Sequence, residues 1–295
     1  VRARQRAPES EEAAMSIEVF LAVLGAALLH AAWNALVKVS ADRLVLVAVI
    51  KLGTTAVALA ALPFIELPPP EAWPYVAASV VIHTGYFLFL VIAYRFGDLS
   101  QVYPIARGAA PLLVAALAVL LFGETLSGQN VLALLLISCG IMSLMLVRRT
   151  DGMVQVKAVV AALATSCFTA GYTLADGMGA RLSANPHDYI LWLNVFNGLP
   201  IIAIALFARR GNFAPQLRKV WKPGLLSGAV SLLAYWIVLW ASTQAPIALV
   251  AAVREASIVF AVMFGAVFLK ERLDPRRVVA VFVTTVGLVL LKAGR

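Results

Sequence analysis

Arg107 and Arg254 stand inside long apolar runs, in Tyr103-Pro-Ile-Ala-Arg107-Gly108 and Val250-Ala-Ala-Val-Arg254-Glu255. A guanidinium at the centre of a membrane helix costs ~2.5–3.5 kcal/mol on insertion scales, so each needs a partner or a wet cavity. Two chemistries suit them. The planar fork of donors clamps a carboxylate, phosphate or phosphonate. Alternatively, each joins a structural ion pair, with Glu255 as the acid. Adjacent helical positions do not face each other, so Glu255 reaches either Arg107 across an interface or, through backbone distortion near Pro246, its neighbour Arg254. The second arrangement is the one expected here, and it leaves Arg107, followed by uncharged Gly108, as the free clamp. Glu255 reads as the only carboxylate deep in an apolar run; it pairs an arginine, binds a substrate amine or carries a coupling proton.

The first apolar run holds His30, Trp33, Asn34 and Lys38 at spacings of three, four and eight, one helical stripe that lipid does not solvate. Such a stripe lines a solute pathway or makes interhelical hydrogen bonds; Lys38 also has the reach to snorkel. Thr165, Thr169 and Tyr172 repeat the device in the sixth run, with Asp176 at its end. The substrate-binding candidates are therefore Arg107, Arg254, Glu255, Trp33, Asn34, His30, Tyr103, Thr169 and Tyr172. Tyr86, Tyr94, Trp236 and Trp240 supply aromatic walls or interfacial belts, and His83, Asn194 and Asn197 are weaker candidates. Pro104, Pro111 and Pro246 mark helix breaks beside a cavity or plain kinks. No nucleophile elbow, phosphate-cradling glycine loop or acid pair is present, so no enzyme is expected. Cys139, Cys167, His30, His83 and His187 are too scattered for a metal site, and no metal or cofactor is expected.

These side chains need helices in lipid to hold them. Of 295 residues, 62% are hydrophobic and 13% charged, against roughly 45–50% and 25% in soluble domains. Apolar runs able to cross ~30 Å of hydrocarbon recur as ten predicted spans. The first five are Ile17–Val39, Leu44–Phe64, Trp73–Tyr94, Gln101–Phe122 and Asn130–Val147. The second five are Val156–Met178, Tyr189–Ala208, Pro223–Trp240, Pro246–Leu269 and Val278–Leu291. Continuous rather than alternating runs select helices over a barrel. Residues 1–15 read as a disordered tail and 148–157 as a linker between halves 16–147 and 158–292. The net charge of +9 sits mainly in short loops, so no nucleic acid partner is expected. Fifteen loop cations collect on one side and six on the other; positive-inside bias places the fifteen in the cytoplasm and both termini outside.

A shift of 147 residues lays Arg107 on Arg254, Glu124 on Glu271, Leu126 on Leu273 and Gly140 on Gly287. A rare intramembrane Arg matched together with a loop Glu points to duplication. Five spans per half is an odd number, so the second half enters the membrane inverted. Inverted repeats place a binding site near the midplane between the halves, and rocking one half against the other exposes it to alternate sides.

His30-Ala-Ala-Trp33-Asn34 with Lys38, Tyr103-Pro-Ile-Ala-Arg107-Gly-Ala-Ala-Pro111, Phe122-Gly-Glu124-Thr-Leu126 and Phe268-Leu-Lys-Glu271-Arg-Leu273 carry a family resemblance. From Ser16 to Lys292 the chain resembles the drug/metabolite transporter superfamily, in its ten-helix EamA-type branch. The resemblance implies an all-α membrane protein of ten transmembrane helices, built as two inverted five-helix repeats around a central cavity. Members move amino acids, sugars, nucleotide-linked compounds, choline-like cations and drugs, mostly as exporters. Their termini are usually cytoplasmic, opposite to the loop-charge expectation. The Tyr-Pro-x-Ala-Arg segment is also similar to a subgroup found near phosphonate-utilisation genes. These motifs are structural and transfer no substrate.

The expected function is secondary transport by alternating access across a bacterial cytoplasmic membrane. The solute is a small polar metabolite, amino acid-like or another organic anion or zwitterion, with a coupling proton as an optional second partner. The alternative is a flippase or accessory subunit for a lipid-linked intermediate.

Overall fold

The computed structural model describes residues 15–38, 42–96, 99–146, 156–267 and 274–294. The expected tail up to Ala14, the expected linker up to Gln155, and Glu271 with Leu273 lie outside the described residues. The first repeat contains α1 (Ile17–Lys38), α2 (Arg43–Ala61), α3 (Trp73–Phe96), α4 (Leu99–Phe122) and α5 (Gly128–Ser143). The second contains α6 (Val156–Leu182), α7 (Pro186–Asn197), α8 (Leu199–Ala208), α9 (Phe213–Gln244), α10 (Ile247–Arg254), α11 (Ser257–Val267) and α12 (Pro275–Ala293).

Local chemistry sets where several helices begin. Asp42, Ser127, Asn185 and Asp274 accept from the first-turn amides of α2, α5, α7 and α12, satisfying donors that a helix start leaves open. Pro186 and Pro275 follow two of these caps, where a missing N–H costs nothing. The seventh span is α7 plus α8, interrupted at Gly198 with Pro200 just beyond. The ninth is α10 plus α11. Helix α9 is longer than expected: it begins at Phe213, so most of the stretch Arg209–Lys222 read as a loop is helical, and it runs through Pro223. Its first turns carry Arg218, Lys219 and Lys222 beside exposed Trp221, the composition of an interfacial segment.

Among the described residues, eight helical stretches are long and apolar enough to cross a membrane. The other two spans are α5, an apolar helix of 16 residues, and α12, 19 residues with Arg276, Arg277 and Lys292 near its ends. Leu21, Val81, Leu120, Val160, Leu233 and Phe282 point outward, a surface suited to lipid rather than water.

Exchanging the halves maps the main helix contacts onto one another. α3 lies on α6, and their counterparts α9 and α1 also pack together. α4 lies on α6, as α10 and α11 lie on α1; α2 lies on α9, as α7 lies on α3. Three pairs are their own counterparts, α5 on α12, α2 on α7 and α4 on α10, and mark the pseudo-twofold axis. The α5–α12 crossing shows the symmetry atom by atom. A Cβ on Gly140 would stand 3.0 Å from the carbonyl oxygen of Ala280, and one on Gly287 would stand 3.0 Å from that of Ala133. Small residues let helix backbones approach where hydrophobic driving force is weak. Odd span parity within this twofold makes the repeats inverted.

Candidate substrate site

The ninth span breaks where its charges are. Glu255 N–H donates to Ala252 O (3.1 Å), Ala256 N–H to Val253 O (3.0 Å) and Ile258 N–H to Glu255 O (3.0 Å). This tight i−3 pattern ends α10 at Arg254 and restarts the helix as α11 at Ser257. Arg254 therefore lies at a helix C-terminus and Glu255 just ahead of a helix N-terminus, the polarity each charge favours. Pro246 opens α10, eight residues before the break, while Pro104 and Pro111 lie inside continuous α4. None of the three prolines makes this interruption.

The broken turn aims Glu255 across the axis. Its Oε2 is 2.9 Å from Arg107 Nε, whereas Arg254 Nε is 3.8 Å from Oε1. Arg107 Nη2 also donates to Ser257 Oγ at 3.1 Å. The expected pairing of Glu255 with Arg254 is thus reversed: Arg107 is the held partner and Arg254 the looser one. All three side chains are buried, Glu255 completely. Two guanidiniums share one carboxylate, and the buried trio carries a net positive charge. The carboxylate oxygens and both Nε atoms lack aligned hydrogen bonds within the protein, so close contact does not exhaust their bonding capacity.

The other candidates divide. Tyr103 lies beneath the guanidinium of Arg107, 6.0 Å from ring centroid to Cζ. His30 is within electrostatic reach of both arginines and packs edge-on against Trp33 at 5.2 Å; Trp33 Nε1 is buried without a hydrogen-bond partner. Tyr172 and Tyr86 reach Arg107 electrostatically. Asn34 and Thr169 are not brought into the cluster's hydrogen bonds. Asn34 donates to His30 O at 2.7 Å and Thr169 to Thr165 O at 3.0 Å, each within its own helix. The side chain of Lys38 is outside the described set.

A second polar cluster was not assembled by the sequence reading. Asp176, placed only at the end of a stripe, is completely buried, so Glu255 is not the only deep carboxylate. Its Oδ2 accepts a hydrogen bond from the Tyr235 hydroxyl on α9. His83 on α3 stacks on Tyr172 at 4.0 Å and shares a 3.1 Å contact with Ser79 Oγ. Lys51 on α2 is within electrostatic reach of Asp176. The available signal was two charged residues, Lys51 and Asp176, lodged in separate apolar runs.

At the start of the ninth span, Glu124 accepts from Ile247 N–H (2.9 Å) and Ala248 N–H (3.4 Å) and pairs with Arg181 Nη1 (2.9 Å). Arg181 in turn donates to the Ser242 and Ala245 carbonyls at 2.7 and 2.9 Å. The Glu-x-Leu motif of the first repeat thereby caps α10 and fastens the halves together.

The sequence profile of the EamA-like transporter family matches residues 17–146 and again 156–293. The chain belongs to the EamA-like transporter family. It is a multi-pass membrane protein of drug/metabolite transporter type, and the cluster at its axis lies between two EamA-type repeats. A crystal structure of 18% identity superposes with a TM-score of 0.74, covering 92% of this chain and 97% of that one, a likeness of fold. The Multidrug resistance protein EbrB of Bacillus subtilis (strain 168) is 36% identical over 74 residues, a quarter (25%) of this chain. The chain spans 62% of that relative's length.

Proposed function

We propose that this EamA-family protein is a secondary transporter of a bacterial cytoplasmic membrane that carries a small polar metabolite bearing an anionic group. Arg254 is its principal anion clamp. One observation carries the reading: two buried guanidiniums at the pseudo-twofold axis share a single carboxylate. A buried net charge is costly without a counter-ion, and a carboxylate, phosphate or phosphonate supplies one with geometry that guanidinium matches. Tyr103 and Tyr172 flank Arg107, His30 with Trp33 packed against it reaches both arginines, and Glu255 holds Arg107 in register. A lipophilic cation meets positive charge here and is disfavoured. The burial of the trio away from the lipid-facing surface favours a soluble solute over a lipid-linked one. Alternating access follows from the inverted halves, which rock about the axis on which the trio lies.

The test is ligand-induced thermal stabilisation of the purified protein with 2-aminoethylphosphonate, glutamate and succinate against choline and tetraphenylphosphonium. At least one anion raises the melting temperature, and Arg254→Gln abolishes that rise. Stabilisation by the cations alone, or an anion response intact in Arg254→Gln, refutes the reading.

A further inference from the structure

Asp176 has no role in that site, yet a fully buried carboxylate needs one. Its Oδ2 is held by Tyr235, while Oδ1 makes no hydrogen bond of good geometry, the Ser79 hydroxyl acting on the carboxylate only loosely. Among the described residues no Lys or Arg nitrogen is in ion-pair contact with it. The groups facing it come from six elements. Lys51 (α2), Ser79 (α3), Tyr235 (α9) and Arg254 (α10) act on it electrostatically or by hydrogen bonding. Tyr189 (α7) lies within electrostatic reach and has a buried hydroxyl of its own without a partner. His83 (α3) stacks on Tyr172 (α6) and meets Tyr235 edge-on at 6.3 Å. A buried oxygen left without a donor is costly for a carboxylate and costs much less for a carboxylic acid.

The charge balance connects this acid to the anion site. The buried ionisable side chains among the described residues include Arg107, Arg254, Glu255 and Asp176. With Asp176 ionised, these four sum to zero; with a proton on it, they carry one positive charge, and half-buried Lys51 adds one more in either state. Arg254 is the member common to both clusters. An anion seated on Arg254 opposes the charge on Asp176, and a proton on Asp176 leaves Arg254 without a competing anion. Each ligand then strengthens the other by the same factor.

We propose that Asp176 is a proton-binding site coupled to anion binding, so that proton and organic anion cross together. The inference rests on the anion reading above. Asp176 carries the proton, as one O–H bond, before the anion seats and gives it up after the anion has left; no other covalent bond changes. The rival arrangement, an ionised Asp176 serving only as a structural counter-charge to Lys51, holds no proton at neutral pH.

The experiment has two arms. Infrared spectra of the purified protein at neutral pH show the carbonyl stretch of a protonated carboxylic acid. The band disappears in Asp176→Asn, persists in Glu255→Gln and shifts in Tyr235→Phe, which retains the carboxyl group if the Asn variant fails to fold. A missing band, or one that belongs to Glu255, overturns the proposal whether or not the protein binds anions. In the second arm, proteoliposomes containing a pH dye are given 2-aminoethylphosphonate. Wild-type vesicles accumulate the probe with proton entry, up to about tenfold per unit of pH gradient. In Asp176→Asn, probe-for-probe exchange continues while gradient-driven accumulation falls to a ratio of one. Proton movement with the probe in Asp176→Asn overturns the coupling while leaving the anion reading intact. If none of the anions named above is bound or carried, the anion reading fails, and the coupling with it; the infrared band then speaks only for the proton on Asp176.

Discussion

Replacing Arg107 and Arg254 in turn separates the residue that holds the fold from the one that holds the solute. Arg107→Gln removes the partner 2.9 Å from a completely buried Glu255 and the donor to Ser257. What remains is Arg254 at 3.8 Å, so the carboxylate is nearly uncompensated. Breaking a buried pair in this way costs ~3–5 kcal/mol. Arg254→Gln leaves the 2.9 Å pair standing, and its structural cost stays near ~1 kcal/mol, the scale of one modest interaction. Its cost to binding is larger: a charge-assisted contact is worth ~1.5–3 kcal/mol, roughly 10–100-fold in affinity. The assay is paired thermal unfolding in detergent and anion titration of each variant. Arg107→Gln melts well below wild type, while Arg254→Gln melts close to it and binds weakly. Adding Glu255→Gln to Arg107→Gln recovers much of the lost stability, because the stranded charge is gone, and the non-additivity measures the coupling. Equal destabilisation by both single changes, or a stable Arg107→Gln, refutes the assignment.

Gly140→Ala and Gly287→Ala each push a methyl against backbone across the α5–α12 crossing. The expected loss is ~1–3 kcal/mol for each, read as similar drops in melting temperature, whereas Gly25→Ala, which meets nothing, is neutral or stabilising. Glu124→Gln weakens the Arg181 bridge and the cap on α10; hydrogen exchange at Ile247 and Ala248 accelerates, and stability falls by ~1–2 kcal/mol. At the membrane edge, burial pushes the Asp42 carboxyl up, but the Arg209 contact and the Val45 amide outweigh it and hold the group below its ordinary value. A depressed acid stabilises above its unfolded pKa of ~3.9 and loses that stabilisation as pH falls through the folded value. Asp42→Asn therefore melts below wild type at neutral pH by no more than ~1 kcal/mol, and the gap closes in acid.

The intramembrane arginines were readable because few environments tolerate them, and the ten spans because apolar length is a strong signal. Which acid met which base was not readable. Helical spacing assumes a regular helix, and the i−3 bonds from Glu255 to Ile258 rotate Glu255 away from the wheel position its number implies. Proline left the place of the breaks open for a related reason. Pro104 and Pro111 are absorbed within α4, while the interruptions fall at Gly198 and at the charged turn. Asp176 was missed because its partners arrive from α2, α3, α7 and α9, and no local window contains them.

The asymmetry at the axis, by contrast, could be read from the repeat itself. The 147-residue shift that superposes Arg107 on Arg254 also superposes Gly108 on Glu255. Had both halves kept glycine, two buried guanidiniums would face each other with no acid between them, and repulsion would force them apart. With glutamate in both, each arginine would have its own carboxylate, and the centre would be neutral and closed to an anion. One glutamate in one half holds a single arginine and leaves its symmetry mate under-compensated. On the reading proposed here, a duplicated scaffold yields one anion site rather than two, and its place is set by where the duplication is broken.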